Sequence, residues 1–108
     1  MEVIFTPLAE RHLDPLHQYI TSHSSEDRAD EYVGRIVAFC KGLATFPMRG
    51  TSRDDLLPGL RITGFERRVT IAFVVTDAAV LIEGIFYGGR DFEMTFHNRD
   101  KDDDPDRD

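Results

Sequence analysis

The chain has 108 residues, of which 41% are hydrophobic, so it can form one modest core and is expected to be a single domain. Its net charge of −7, from 13 basic and 20 acidic residues, argues against non-specific nucleic-acid binding, which depends on lysine and arginine contacts to phosphates. The one cysteine, Cys40, excludes an internal disulfide, and no apolar run is long enough to span a bilayer, so we expect a cytoplasmic protein.

The first predicted element is a short strand over residues 2–5, which a helix follows. Thr6 and Pro7 are residue types typical of an N-cap and of the first helical position. Apolar residues then recur near helical spacing until about residues 21–24. Pro15 lies inside this pattern and predicts a kink or a restart capped by Asp14, because proline removes a backbone hydrogen bond.

A second helix is predicted to begin at a capping box formed by Ser24 and Asp27. Its apolar residues recur at steps of three and four, and Phe46-Pro47 is expected to end it. These apolar residues are Ala29, Tyr32, Val33, Ile36, Val37, Cys40, Leu43 and Ala44. So wide an apolar stripe requires a flat apolar surface to pack on.

Three predicted strands supply that surface, after a polar connection over residues 48–59 in which Leu56 and Leu57 are the expected buried anchors. The strands are residues 60–65, 69–76 and 80–87, and the middle one alternates apolar and smaller or polar residues. Short turns join them, which predicts an antiparallel meander because parallel neighbours need long crossovers.

The predicted order is therefore β-α-α-β-β-β, an α+β fold in which a two-helix hairpin packs on a mainly antiparallel sheet. We assign the domain to residues 1–98. Residues 99–108 carry six acidic and three basic residues, which leaves −4 on the rest of the chain. This segment has no large apolar side chain to bury, so it is predicted to be a disordered tail.

The sequence contains no recognisable motif for metal, phosphate or nucleophile chemistry, and we expect no cofactor. Its four histidines lack the spacing of a metal site. Gly88-Gly89 follows a strand, but the residues of a phosphate loop do not come after it. Arg90-Asp91 is interpreted as a structural pair that closes the sheet, in preference to a direct contact with a target.

A local basic group stands out in this acidic chain, and it consists of Arg61, Arg67 and Arg68. These arginines could pair with nearby carboxylates on a solvated surface, for which the candidates are Glu66, Glu83 and Asp91. They could equally bind a partner. Both interpretations remain open on the sequence alone.

Short pieces of sequence between residue 3 and about residue 96 carry a family likeness through their order and spacing. They are Phe5-Thr6-Pro7-Leu8-Ala9, Tyr19-Ile20, Leu43-Ala44-Thr45-Phe46-Pro47, Gly50, Arg53-Asp54-Asp55-Leu56, Pro58-Gly59-Leu60-Arg61 and Tyr87-Gly88-Gly89-Arg90-Asp91. With these pieces the chain resembles the ParE/RelE toxins of bacterial type II toxin–antitoxin systems, and ParE more closely.

The resemblance implies a small toxin that an antitoxin encoded beside it holds inactive. Its target would be DNA gyrase in the ParE branch and mRNA in the ribosome in the RelE branch. For a RelE-type nuclease, Arg61, Arg68 and Arg90 fall near basic positions of the family pattern, and Phe96 falls where tyrosine is usual. Phenylalanine has no hydroxyl to exchange a proton, so we favour a non-enzymatic gyrase inhibitor over a ribosome-dependent endoribonuclease.

Two sets of candidate contact residues follow from this interpretation. The candidates for target binding are Arg61, Arg67, Arg68, Tyr87, Arg90 and Phe96. The candidates for antitoxin binding are Leu13, Leu16, Tyr32 and Ile36. Each member of the second set fits the core of the domain at least as well. A non-toxic relative that serves as a binding module is the third interpretation.

Overall fold

A computed structural model of the chain describes residues 1–88 and 92–96, and its centre is a five-stranded sheet in the order β1-β5-β4-β3-β2. The strands are β1 (Glu2–Phe5), β2 (Thr51–Ser52), β3 (Leu60–Phe65), β4 (Val69–Val75) and β5 (Ala79–Tyr87). β1 pairs in parallel with β5, and the other neighbours pair antiparallel. The predicted meander is confirmed. The two-residue strand β2 was not foreseen.

Two helices, α1 (Pro7–His23) and α2 (Glu26–Gly42), pack on one face of this sheet. The Thr6 hydroxyl accepts a hydrogen bond from the Ala9 amide at 3.2 Å, as its sequence position predicts. α1 continues through Pro15, so the predicted restart at Asp14 is wrong. Apolar side chains on both sides of the proline, among them Leu13 and Leu16, pack on the same core and hold the two halves in line.

The ends of α2 differ from the predicted ones. Its N-cap is Ser25, whose hydroxyl accepts from the Arg28 amide at 3.1 Å, and not Ser24. Its α-helical part ends at Gly42 rather than at Phe46-Pro47, because the next amides bond to carbonyls three residues back and tighten the chain into a turn.

A β-bulge in β5 decides which side chains face the helices. Ala72 pairs with Gly84 and Phe73 pairs with Ile82, so Glu83 is an extra residue on β5. The helix-facing residues of β5 are Val80 and Ile82 before the bulge and Ile85 and Tyr87 after it. Glu83 itself is only 6% exposed.

The helix side and the opposite side of the sheet each carry an apolar cluster. The larger cluster joins both helices to β4 and β5. The smaller one lies on the other face and consists of Leu60, Ala72, Phe86 and Phe96, with Leu56, Leu57 and Phe92 packed against it. Leu56 and Leu57 are thus the expected anchors of the connection. Phe96 is 0% exposed in a helical turn at residues 92–96, so it is a core residue in this fold.

The connection between α2 and β3 is held by one arginine. The Arg61 guanidinium donates hydrogen bonds to the carbonyls of Met48, Arg49 and Gly50 at 2.9–3.2 Å. Gly50 has φ +80°, and a Cβ built there would lie 2.0 Å from the Ile62 carbonyl oxygen. Only glycine fits this close approach of the connection to β3.

A carboxylate fixes the second half of the same connection. Asp54 accepts hydrogen bonds from the Gly59 amide at 2.8 Å and from the Ser52 hydroxyl at 2.9 Å. These bonds, the Gly59 amide first, lower the pKa of Asp54 below its usual value. The charged form of Asp54 is therefore favoured in the folded state.

Replacing Phe96 tests whether the turn at residues 92–96 belongs to the core. Phe96→Ala is expected to lower the free energy of unfolding by about 3–5 kcal/mol, as for other buried phenylalanines. Phe46→Ala is the matched control, because Phe46 is 63% exposed, and it should cost less than about 1 kcal/mol. Urea denaturation measures both changes. Equal, small losses would contradict the packing of Phe96.

Two glycine substitutions test the fixed geometry at Gly50. Gly50→Ala is expected to lower the free energy of unfolding by at least about 2 kcal/mol, because it combines a left-handed φ with a backbone clash. Gly34→Ala is the control, since a Cβ at Gly34 in α2 meets nothing within 4 Å. It should stabilise the helix by about 0.5–1 kcal/mol. A neutral Gly50→Ala would mean that the connection is mobile.

Acid titration tests the role of Asp54. Because folding lowers its pKa, Asp54 stabilises the fold above its unfolded pKa of about 4, and this stability is lost as the pH falls through the lowered folded value. The gap in urea midpoint between the wild-type protein and Asp54→Asn should therefore shrink as the pH is lowered from about 7 towards about 3. A gap that stays constant with pH would refute this assignment.

Candidate functional site

Two exposed apolar side chains lie close together in the turn that follows α2. This turn, here called the loop surface, comprises Phe46, Pro47, Met48 and Arg49. Phe46 is 63% exposed and Met48 is 69% exposed. The Arg49 guanidinium lies over the Phe39 ring at 5.3 Å and over the Phe46 ring at 5.9 Å. An apolar patch with a stacked arginine has the composition typical of protein interfaces.

Arg61 makes the loop surface rigid. Its three bonds reach the carbonyls of residues 48–50, which follow directly on Phe46 and Pro47. In the described structure the hydrogen bonds of the Arg61 guanidinium therefore go to the backbone of this loop. A surface fixed in this way loses little conformational entropy when a partner binds.

A second feature, here called the arginine cleft, lies where the two helices adjoin the β3–β4 turn and the end of β5. It has a volume of about 550 Å³ and is lined by Ile20, Ser24, Arg28, Glu31, Tyr32, Arg35, Arg68 and Tyr87. The residues come from the end of α1, the first half of α2, the β3–β4 turn and the end of β5. Amphipathic helices and a hairpin turn thus bring together side chains that are far apart in the sequence.

The charges of the arginine cleft are only partly balanced. Arg35 bonds to Glu31 at 2.9 Å and, with two nitrogens, to Glu66 at 3.0 and 3.2 Å. Glu66 and its neighbour Arg67 have φ values of +49° and +65°, so the Arg35 fork holds a strained turn in place. Within residues 1–88 and 92–96, Arg28 and Arg68 make no ion pair.

Tyrosines form the wall of the arginine cleft. The Tyr32 ring meets the Tyr87 ring edge-on at 6.3 Å, and the Arg35 guanidinium lies 5.2 Å from the Tyr32 ring centre. The Tyr32 hydroxyl is buried, and no hydrogen-bond partner is found for it among residues 1–88 and 92–96. Burial, followed by the Glu66 charge, raises the pKa of Tyr32. The hydroxyl therefore stays neutral at physiological pH and adds no negative charge.

The structure separates the arginines that the sequence groups together. Arg68 lines the arginine cleft and Arg67 is exposed in the adjoining turn. Arg61 lies near the opposite end of β3, about 13 Å away along the strand from Phe65, which precedes that turn. Arg90 lies outside the described residues. The carboxylate Glu66 pairs with Arg35 of α2 and not with any arginine of the predicted group.

The remaining predicted contact residues divide between the core and the cleft. Tyr87 and Tyr32 line the arginine cleft and stay partly exposed. Ile36 and Phe96 are fully buried and Leu16 is nearly so, which places these three inside the domain. Leu13 is partly exposed and packs against the larger cluster.

Several residues of these surfaces were not singled out from the sequence, among them Arg28, Arg35 and Met48. Arg28 and Arg35 are seven residues apart, which is the spacing of one helix face, and this pattern could have indicated them. Phe46 was interpreted as part of a helix end and Met48 as the start of a polar connection, because the local pattern does not tell whether an apolar side chain after a helix is covered. Their exposure depends on the path of the connection.

Metal-ligating and thiol side chains of the described residues do not form a reactive centre. Across residues 1–88 and 92–96, no group of three or more His, Cys, Asp or Glu side chains could hold a metal ion. Burial raises the pKa of the Cys40 thiol to about 12, so this group is not a nucleophile at neutral pH.

Among residues 1–88 and 92–96, no helix has the length and apolar character needed to cross a membrane.

Comparison with known proteins assigns the family. A family model described as the ParE toxin of the type II toxin–antitoxin system parDE matches residues 3–92. A chain of the chromosomal ParDE toxin–antitoxin system from P. aeruginosa is similar in structure, with a TM-score of 0.71 and 25% sequence identity. The match covers 82% of this chain and 96% of that one. A search of curated proteins finds no match.

These findings confirm the resemblance seen in the sequence, including the closer likeness to ParE. The family model extends over both helices, β2 to β5 and all of β1 except Glu2. The arrangement of two helices on a mainly antiparallel sheet agrees with the fold of the similar structure. The chain belongs to the ParE family of toxins from type II toxin–antitoxin systems.

Proposed function

We propose that this toxin inhibits DNA gyrase by binding to it, and that a cognate antitoxin neutralises the toxin by covering part of its surface. Inhibition then depends on the complementarity of two protein surfaces and not on bond cleavage by the toxin. Gyrase acts on DNA in the bacterial cytoplasm, so that is where we place the toxin. Membership of the ParE family supports the antitoxin partner.

The role of Arg61 is the observation that carries this proposal. A nuclease of the RelE type would need Arg61 near Arg68, with both guanidinium groups directed at one phosphate. Arg61 instead donates to three backbone carbonyls, and most of β3 separates it from Arg68. The same bonds hold the loop surface in place. The Arg61 guanidinium is thus occupied by backbone carbonyls instead of being free to bind a phosphate. The same bonds fix the shape of the proposed protein-binding surface.

Phe96 also argues against cleavage of RNA by the described residues. It has no hydroxyl, and its ring is fully buried against Phe86, with the ring centres 5.9 Å apart. Without a hydroxyl, Phe96 cannot transfer a proton. Its buried ring cannot stack on a base unless the turn at residues 92–96 unfolds. The acidic charge of the chain further disfavours docking on ribosomal RNA.

The loop surface supplies the positive argument for binding. Phenylalanine, methionine and arginine are enriched at the centres of protein interfaces, where a few residues provide most of the binding energy. Phe46, Met48 and Arg49 combine these residue types in one rigid turn. We therefore add them to Arg67, Arg68 and Tyr87 as proposed contacts with the target.

The antitoxin is proposed to contact the helical hairpin. Of the four residues considered for this role, Leu13 and Tyr32 keep partial exposure and are available to a partner. Leu16 and Ile36 act indirectly, since they pack the helices on the sheet and fix the shape of the hairpin. An antitoxin that is disordered when free would fold on this surface at a cost in affinity.

Gyrase supercoiling of relaxed plasmid is the direct test. The wild-type chain is expected to inhibit supercoiling, and addition of the antitoxin encoded beside it should restore activity. Phe46→Ala combined with Met48→Ala should weaken inhibition at least about tenfold, because truncating interface anchors typically costs more than about 1.4 kcal/mol in total. The quantity measured is the toxin concentration that gives half-maximal inhibition.

Met94→Ala is the control for this double variant. Met94 is also well exposed, at 54%, but belongs to the turn at residues 92–96, whose Phe92 and Phe96 pack on the face of the sheet away from the helices. Its replacement should leave inhibition unchanged. Equal inhibition by the double variant and the wild type would exclude the loop surface as the contact. A wild-type chain that leaves gyrase unaffected at large excess, yet cleaves mRNA on ribosomes, would overturn the proposal in favour of the nuclease.

A further inference from the structure

The arginine cleft is a concentration of positive charge on an acidic protein. Arg28 and Arg68 face it without an ion pair among the described residues, and Arg35 is shared between two carboxylates. The exposed Arg67 lies directly beside it. The whole chain carries −7, so this surface is complementary to the rest of its own sequence. An acidic ligand is therefore the chemistry that the cleft fits.

Such a ligand is present in the same chain. Residues 97–108 lie outside the described structure, and aspartates occupy positions 100, 102, 103, 104, 106 and 108. Three basic residues are interspersed, so the ten residues 99–108 carry −3. The run Asp102-Asp103-Asp104 is the part with the highest density of negative charge.

The tail begins within reach of the arginine cleft. Phe96, the last described residue, packs against Phe86, and the next residue of β5, Tyr87, lines the cleft. The six residues from Phe96 to Asp102 can extend about 20 Å, and the whole tail about 40 Å. A layer of sheet with its side chains is about 10 Å thick. The aspartates can thus pass around the end of the sheet, where the β3–β4 turn carries Arg67 and Arg68.

We propose that the aspartate-rich segment of residues 100–108 docks in the arginine cleft of its own chain, with its carboxylates against Arg28 and Arg68. A short tether holds the segment at an effective concentration of about a millimolar, so docking needs an intrinsic affinity of only about that order. Pairs of this kind are screened by salt. The docked segment and an acidic partner would compete for one surface. This inference does not rest on gyrase as the target.

Paramagnetic relaxation in the full-length chain tests the docking. A spin label on Pro105→Cys leaves every aspartate in place, and the native Cys40 is buried and will not react. At an ionic strength of about 0.01 M, amide signals of Arg28, Tyr32 and Arg68 should be broadened. At about 1 M, where the screening length falls from about 30 Å to about 3 Å, the broadening should be lost.

Charge variants locate the site. Arg28→Glu combined with Arg68→Glu should abolish the broadening in the cleft, whereas Arg11→Glu combined with Arg49→Glu should not. The control pair makes the same change of charge at exposed arginines outside the cleft lining. Asp102→Asn, Asp103→Asn and Asp104→Asn together should also remove the broadening. These three changes leave the described residues unaltered. They therefore still test the docking of the tail if the double arginine variant fails to fold.

Three results would overturn the proposal. The first is broadening that is absent from the cleft or equally strong at Arg11 and Arg49. The second is broadening that persists at high salt or in the neutralised tail. The third is broadening that appears on isotope-labelled protein without a spin label when it is mixed with spin-labelled protein, because the tail of a second copy would then be the occupant.

Discussion

The bulge at Glu83 is the constraint on which the two sides of the sheet depend. Side chains alternate along a strand, so without the extra residue Tyr87 would point away from the helices and Phe86 towards them. With it, Tyr87 reaches the arginine cleft and Phe86 reaches Phe96. Gly84 permits this arrangement, because a Cβ there would lie 2.6 Å from the Phe86 ring. The bulge therefore accounts both for the position of Tyr87 in the arginine cleft and for the contact of Phe86 with Phe96 in the smaller cluster.

The bulge also sets how the helical hairpin attaches to the sheet. β1 pairs with β5 only as far as Ile82, and beyond that point the His12 ring of α1 accepts a hydrogen bond from the Ile85 amide at 3.0 Å. The His12 side chain thus takes the place of a paired strand at this position and satisfies the Ile85 amide. This contact fixes α1 at the end of the sheet where the arginine cleft opens.

The two exposed surfaces differ in physical character, and this difference separates their proposed roles. The loop surface is apolar and rigid, since Arg61 fixes its backbone, and it suits a partner that removes the surface from water. The arginine cleft is charged and lined by tyrosines, so its interactions depend on salt and favour acidic segments. The two surfaces therefore suit two different kinds of ligand.

The sequence by itself determined both helices, the strands other than β2 and their order, because apolar periodicity, the Thr6-Pro7 cap and short turns are local signals. The family was indicated by the resemblance of short sequence pieces to ParE toxins. The sequence did not determine the bulge at Glu83, the strand β2 or the cap at Ser25, for which neighbouring residues offer equally good alternatives.

The site was decided by the tertiary structure. Arg61 and Glu66 look like members of a surface charge group, and only the folded chain brings one to the carbonyls of residues 48–50 and the other to Arg35 of α2. Phe96 and Phe46 are the same residue type, and packing alone buries the first and exposes the second. Burial and long-range pairing depend on where distant segments meet, and no local pattern carries that information.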